Sequence, residues 1–171
     1  MTMYEVPWSL SVFDLAHNTS PQNIYSSNPR YYLRWSQDIE ARILSHNLRC
    51  DVFVGFQRLS IFVERRACYA RLASVAPSIW LFAQPDLTQD PVTGMHLIPL
   101  SAGHELAREW FLLVNHPRYA RLFVARELAP DLDGRRQWTG LLTSDRDIVA
   151  HAETTLLQAL VQKREYASAG S

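Results

Sequence analysis

The sequence predicts one α/β domain: a mixed β-sheet of about five to six strands flanked by helices, with an antiparallel meander in its second half. Three observations lead there. In the first half, segments with apolar residues three and four apart alternate with short apolar runs rich in β-branched and aromatic side chains. In the second half, three strand-like runs follow one another across turn-length connections. The 171 residues, 47% hydrophobic and 20% charged, supply a single core, with no internal repeat and no interdomain linker.

Taken in order, Ser9–Ala16 predicts a short helix with Leu10, Phe13 and Leu15 inward, and Asn18–Asn28 is polar and turn-rich. Pro29 suits the first turn of a helix running to about Asn47. Tyr32, Trp35, Ile39 and Ile43 mark its inner face, which leaves Gln37, Asp38, Glu40 and Arg42 for the outer surface. Cys50–Phe56 is a buried strand. Ser60 is placed to cap a helix to about Val75 that turns Phe62, Tyr69 and Leu72 to the sheet, and Pro77 ends it. Ser78–Phe82 and Met95–Leu100 are strands on either side of the Gln84–Gly94 loop, where Asp86 and Asp90 read as solvated.

Glu109–Val114 and Tyr119–Arg126 follow, joined at hairpin length by residues 115–118. After the Ala129–Arg135 turn comes a strand at Gln137–Thr143, antiparallel to its predecessor. Ser144 and Asp147 stand at capping-box spacing before a last helix with Ile148, Ala152, Leu156, Ala159 and Leu160 inward. Residues 167–171 read as a disordered tail.

Composition excludes several classes. Lys+Arg 17 against Asp+Glu 17 gives no basic surplus for binding nucleic acid. Arg108, Arg118, Arg121, Arg126, Arg135 and Arg136 cluster in sequence, but as a solvated strand face. No run approaches the roughly 20 apolar residues of a membrane span, and Met1–Trp8 lacks the features of a secretory signal. Cys50 and Cys68 have no metal or redox spacing and read as reduced core residues of a cytoplasmic protein.

Catalytic and metal motifs are absent. No two histidines stand four apart, and His104-Glu105 is followed by Arg108 where a His-Glu-x-x-His site needs its second histidine. There is no Gly-x-Ser-x-Gly elbow and no phosphate-cradling glycine loop. The cofactor stays unknown: Trp35, Trp80, Trp110 and Trp138 leave room for a pocket that takes a flat ligand, while aromatics at strand and helix positions read first as packing.

What remains is polar chemistry set against apolar strands. Gln57, Arg58 and Ser60 lie at the carboxyl end of the first core strand, where open α/β sheets place ligands, and the amides of the following helix start favour an anion. Arg108, Glu109 and Trp110 begin a later strand, and Glu127 ends the adjacent one. These seven are the candidate ligand- or partner-binding residues, with no catalytic residue and no metal ligand among them. The alternative is structural: Gln57 orders its turn, Arg58 pairs with Glu109, and Trp110 is core.

The same residues carry a resemblance. Gly55-Phe56-Gln57-Arg58-Leu59-Ser60, Tyr69-x-x-Leu72-Ala73, Ile98-Pro99-Leu100, Arg108-Glu109-Trp110-Phe111 and Ala125-Arg126-Glu127 resemble, in order and spacing from about Ser9 to Leu160, the DICT domain family. That family comprises sensory domains of diguanylate cyclases and two-component systems, common in cyanobacteria and other bacteria. The resemblance implies that residues 1–171 are one DICT-like sensory domain, cytoplasmic and non-enzymatic, with no established ligand or catalytic residue to carry over. The chain ends soon after its last helix, which implies a stand-alone member. It would signal by contact with a partner protein, or by a change of oligomeric state such as homodimerisation, with the last helix as coupling element. Two other classes stay open: a small enzyme assembled around His96 or His104, and a nucleic-acid accessory protein using the arginines from 118 to 136.

Overall fold

The computed structural model describes residues 7, 9–19, 24–26, 29–88 and 92–168. The amino-terminal stretch apart from Pro7, Asp90, and tail residues 169–171 lie outside them; Ala167 and Ser168 continue the last helix instead of fraying from it. The elements are α1 (Val12–Thr19), β1 (Ile24–Ser26), α2 (Pro29–Ser45), β2 (Val52–Arg58), α3 (Leu59–Phe62), α4 (Arg66–Leu72), β3 (Ile79–Gln84), β4 (Met95–Pro99), β5 (Glu109–His116), β6 (Tyr119–Leu128), β7 (Gln137–Thr143) and α5 (Arg146–Ser168). A single 3-10 turn, Val63–Arg65, joins α3 to α4, and another, Glu105–Arg108, leads into β5.

Seven strands form one sheet in the order β1-β7-β6-β5-β2-β3-β4. The β4, β3 and β2 side is parallel, whereas β2, β5, β6, β7 and β1 are antiparallel neighbours. This is the mixed sheet with a meander that the sequence predicts. The extra strand, β1, is three residues long inside the turn-rich segment, too short to display alternation.

Helices cover both faces. Phe53, Phe82, Phe111, Leu122 and Val124 pack under α1 and α5, while Val54, Leu81, Leu112 and Phe123 pack under α2, α3 and α4. Double coverage explains why β2 is buried continuously from Val52 to Gln57 instead of alternating. Close contact is specified by two glycines. A Cβ on Gly55 would lie 2.4 Å from the Phe111 ring, and one on Gly140 would lie 2.3 Å from Tyr32 of α2.

Helix ends follow local chemistry, with two corrections. Asn47, at φ 47°, closes α2: Leu48 N–H donates to the Ile43 carbonyl at 3.0 Å and Asn47 N–H to that of Leu44 at 3.3 Å. Ser60 does not cap the helix after β2, because that helix begins at Leu59 with Arg58 in the cap position and no side-chain cap. Likewise Asp145, not Ser144, caps α5, accepting from Asp147 N–H at 2.9 Å and Ile148 N–H at 3.3 Å. The inner stripe of α5 is as predicted: Ile148, Ala152, Leu156, Ala159 and Leu160 are all buried.

One side chain is on the wrong side of the expectation. Glu40 is 2% exposed instead of lying on the outer face of α2. Its carboxylate accepts from Ser36 Oγ at 2.9 Å, Tyr69 Oη at 3.1 Å, Cys68 Sγ at 3.3 Å and the Arg65 guanidinium, which ties α2 to α4. Burial is the first cause, and Glu40 the second, that raises both the Cys68 thiol and the Tyr69 hydroxyl above their ordinary pKa.

Candidate functional site: a cleft at the carboxyl end of β2

After β2 the chain crosses to β3 on one side; after β4 it returns to β5 on the other. These two connections run to opposite sides of β2 and leave a crevice beyond its carboxyl end, the kind of place where open sheets bind ligands. A cleft of about 520 Å³ lies there. Gln57, Arg58, Ser60 and Ile61 line it from the β2–α3 junction, Gln84 from the end of β3, Ala102, Ala107 and Arg108 from the β4–β5 connection, and Glu127 and Arg136 from the β6–β7 hairpin.

The backbone is distorted where the cleft begins. Pairing of β2 with β3 shifts between Gly55 and Arg58, and Gln57 holds φ at 57°, a left-handed conformation that costs a non-glycine residue on the order of 1 kcal/mol or more. Phe53 packs under α1 and α5, and strict alternation would send Gln57 to that side too. Instead its Nε2 donates to Glu127 Oε2 at 3.2 Å, and Gln57 is 6% exposed. Glu127 also accepts two bonds from Arg136, at 2.6 and 2.9 Å. Those Arg136 bonds are the main reason its carboxyl is held below the ordinary value, with partial burial working against them and the Gln57 bond adding to them.

Charge in the cleft is unevenly spent. Asp86 is exposed in its loop, as expected, and accepts from Ser60 N–H at 3.0 Å and from Ser60 Oγ at 2.5 Å, so the α3 start already holds a carboxylate. The Ser60 hydroxyl, then the Ser60 amide, lower the Asp86 pKa. Arg58 and Arg108 are exposed, and among the described residues neither guanidinium has a hydrogen-bond or ion-pair partner.

Five of the seven candidates, Gln57, Arg58, Ser60, Arg108 and Glu127, therefore meet in one cleft; Glu109 and Trp110 do not line it. Strand alternation separates them. Glu109 is 0% exposed and turns under α1, where Oε1 accepts from Phe13 N–H at 2.6 Å and Ser11 Oγ at 3.2 Å. Its other oxygen has no hydrogen bond among the described residues and lies 3.9 Å from Arg126 Nη2. Burial pushes Glu109 up to about 7, against the pull of the Phe13 amide, Arg126 and Ser11. The predicted Arg58–Glu109 pair does not form. Trp110 turns to the opposite face and meets Phe123 edge-on at 5.1 Å.

The arginine cluster disperses. Arg126 is 16% exposed, not part of a solvated face: it pairs with Asp14 at 3.0 Å, donates to Ser11 Oγ at 2.6 Å and lies over the Phe13 ring. Arg121 lies over Tyr119, and Arg136 over Trp138. His104 is buried, its Nδ1 accepting from Leu106 N–H at 3.0 Å, and His96 stacks on Trp80. No group of three or more His, Cys, Asp or Glu that could hold a metal occurs among the described residues, and no helix among them is long and apolar enough to cross a membrane.

Sequence reasoning missed Arg136 and Gln84. Arg136 had a signal, since the β6–β7 hairpin places it across from the end of β6, beside Glu127. Gln84 had none beyond its place at a strand end.

No curated protein matches the chain. A family described as the sensory domain in diguanylate cyclases and two-component systems, DICT, matches residues 9–128. The match runs from α1 to the end of β6 and takes in every charged residue of the cleft except Arg136. The chain belongs to the DICT family of sensory domains.

Proposed function

We propose that this domain is a non-enzymatic sensor that binds a small ligand in the cleft beyond β2 and relays the event by contact with a signalling partner. The observation that carries the reading is the meeting of Arg58 and Arg108, whose guanidiniums have no hydrogen-bond or ion-pair partner among the described residues, with a buried Gln57 in a left-handed conformation beyond the carboxyl end of β2. Backbone strain of this kind persists where surrounding structure holds it, and it concentrates at ligand clamps. The relay cannot use the apolar stripe of α5, which its own sheet covers, so the partner meets a different surface.

An enzyme built on the histidines gains no support. His104 is occupied in a turn and His96 in a ring stack, and neither lines the cleft.

Native mass spectrometry, with an absorption spectrum, on gently purified protein tests the reading. Extra mass that leaves on denaturation, and is lost from an Arg58→Gln variant that still folds, is the expected result. Bound mass that survives every substitution in the cleft would place the ligand elsewhere.

A further inference from the structure

We infer that the cleft selects a small molecule bearing one compact oxyanion, a carboxylate or a phosphate, on a body that also donates hydrogen bonds. The inference rests on the cleft being the ligand site.

Charge comes first. Of the three arginines lining the cleft, Arg136 is neutralised by its two bonds to Glu127. The nearby Asp86 is committed to Ser60. That leaves Arg58, at the end of β2, and Arg108, on the β4–β5 connection, lining one cleft from separate segments with no hydrogen bond or ion pair among the described residues, Arg58 being only within electrostatic reach of Asp86 and Glu127. Guanidiniums are planar forks suited to carboxylate and phosphate oxygens, and two of them on separate walls bracket one such group. The Ser60 amide at the helix start is not a donor here, because Asp86 takes it.

The amides define the other half of the ligand. Glu127 is held below the ordinary carboxyl value, so it is a carboxylate and accepts only. It must therefore face the NH₂ end of Gln57, which settles the orientation of that amide. The end of Gln57 not used by Glu127 is the carbonyl oxygen, an acceptor at the cleft wall to which an N–H or O–H of the ligand can donate. Among the described residues no aromatic ring lines the cleft, so none of them offers a flat chromophore a stacking platform; Ile61, Ala102 and Ala107 supply its apolar surface. The volume of about 520 Å³ is that of a small-molecule site.

The test is calorimetric titration of the full chain at constant ionic strength, with chloride as reference and with inorganic phosphate, glycerol 3-phosphate and lactate as probes. Binding above chloride is expected for the phosphates or for lactate, and which of the two responds identifies the oxyanion. Of the phosphates, the glycerol ester binds more tightly than inorganic phosphate. Arg58→Gln and Arg108→Gln each weaken binding by about tenfold or more, the loss of a charged hydrogen bond. Arg118→Gln, in the β5–β6 turn away from the cleft, leaves it unchanged. No probe exceeding chloride, or binding indifferent to both cleft substitutions, overturns the oxyanion. A purified protein that carries a neutral ligand, lost from Gln57→Ala, would sink this inference yet leave the cleft as the site. Bound ligand retained by Gln57→Ala, Arg58→Gln and Arg108→Gln alike would sink both.

Discussion

The Glu109 cluster and the β2 cleft are made of similar parts and use them in opposite ways. Under α1, Glu109, Arg126, Asp14 and Ser11 are packed against one another and against Phe13. In the cleft, neither Arg58 nor Arg108 has a hydrogen-bond or ion-pair partner among the described residues, and Arg58 feels Asp86 and Glu127 only electrostatically. Three consecutive residues, Arg108, Glu109 and Trp110, go to the cleft, to the α1 face and to the α2 face respectively. Polar residues that are neighbours in sequence thus serve stability in one place and remain available in another. The division is made by strand alternation and by which partners burial supplies.

Breaking the buried cluster has the largest expected effect. Glu109→Ala removes the acceptor of the Phe13 amide and leaves the Arg126 charge without its buried partner, so unfolding in urea should show a loss of about 3 kcal/mol. A change under 1 kcal/mol would mean that α1 does not depend on this carboxylate.

Nearly as large is the pH dependence of the same group. Glu109 titrates near 7 when folded, against an ordinary value of 4.5, so between those values the folded state holds more protons than the unfolded state. Stability contributed by protonated Glu109 is therefore present at low pH and lost as pH rises through this window, by about 3 kcal/mol at 1.36 kcal/mol per unit. Glu127 in the cleft and Asp86 beside it behave in the opposite sense, since both are held low and stabilise only while ionised. Comparing wild type with Glu109→Gln isolates the first effect. The variant should lose the decline between pH 4.5 and 7, and an unchanged slope would assign it to other groups.

The smallest effect sharpens the contrast. Arg58→Gln and Arg108→Gln, at exposed side chains with no hydrogen bond or ion pair among the described residues, should each alter stability by less than about 0.5 kcal/mol. A loss above 2 kcal/mol in either would make the cleft a structural cluster like that of Glu109.

How much of this was legible depended on whether the signal was local. Periodicity located α2 and α5 and their inner faces, and strand-like runs located β2 to β7, because side-chain alternation is a property of neighbouring residues. Five residues of the cleft could be named because strand ends of an open sheet are predictable places for ligands. Glu40 was misplaced because Arg65, Cys68 and Tyr69, which bury and satisfy it, come from a different helix. Glu109 was grouped with the cleft because nothing in its neighbourhood shows that Ser11 and the Phe13 amide, nearly a hundred residues earlier, will claim it. Ser60 and Ser144 were assigned as caps on spacing alone, and each helix began one or two residues away.

The last two charged residues of β6 bear on one another through the pleat. Arg126 points to α1 and Glu127 to Gln57, so consecutive side chains of opposite sign leave the strand in opposite directions. Sliding β6 by a single residue against β5 or β7 would exchange them, bringing an acid against Asp14 and a cation against Arg136. The strand is keyed by its charges as well as by its hydrophobic face, and the same pair excludes a frameshifted sheet without adding any bulk to the core.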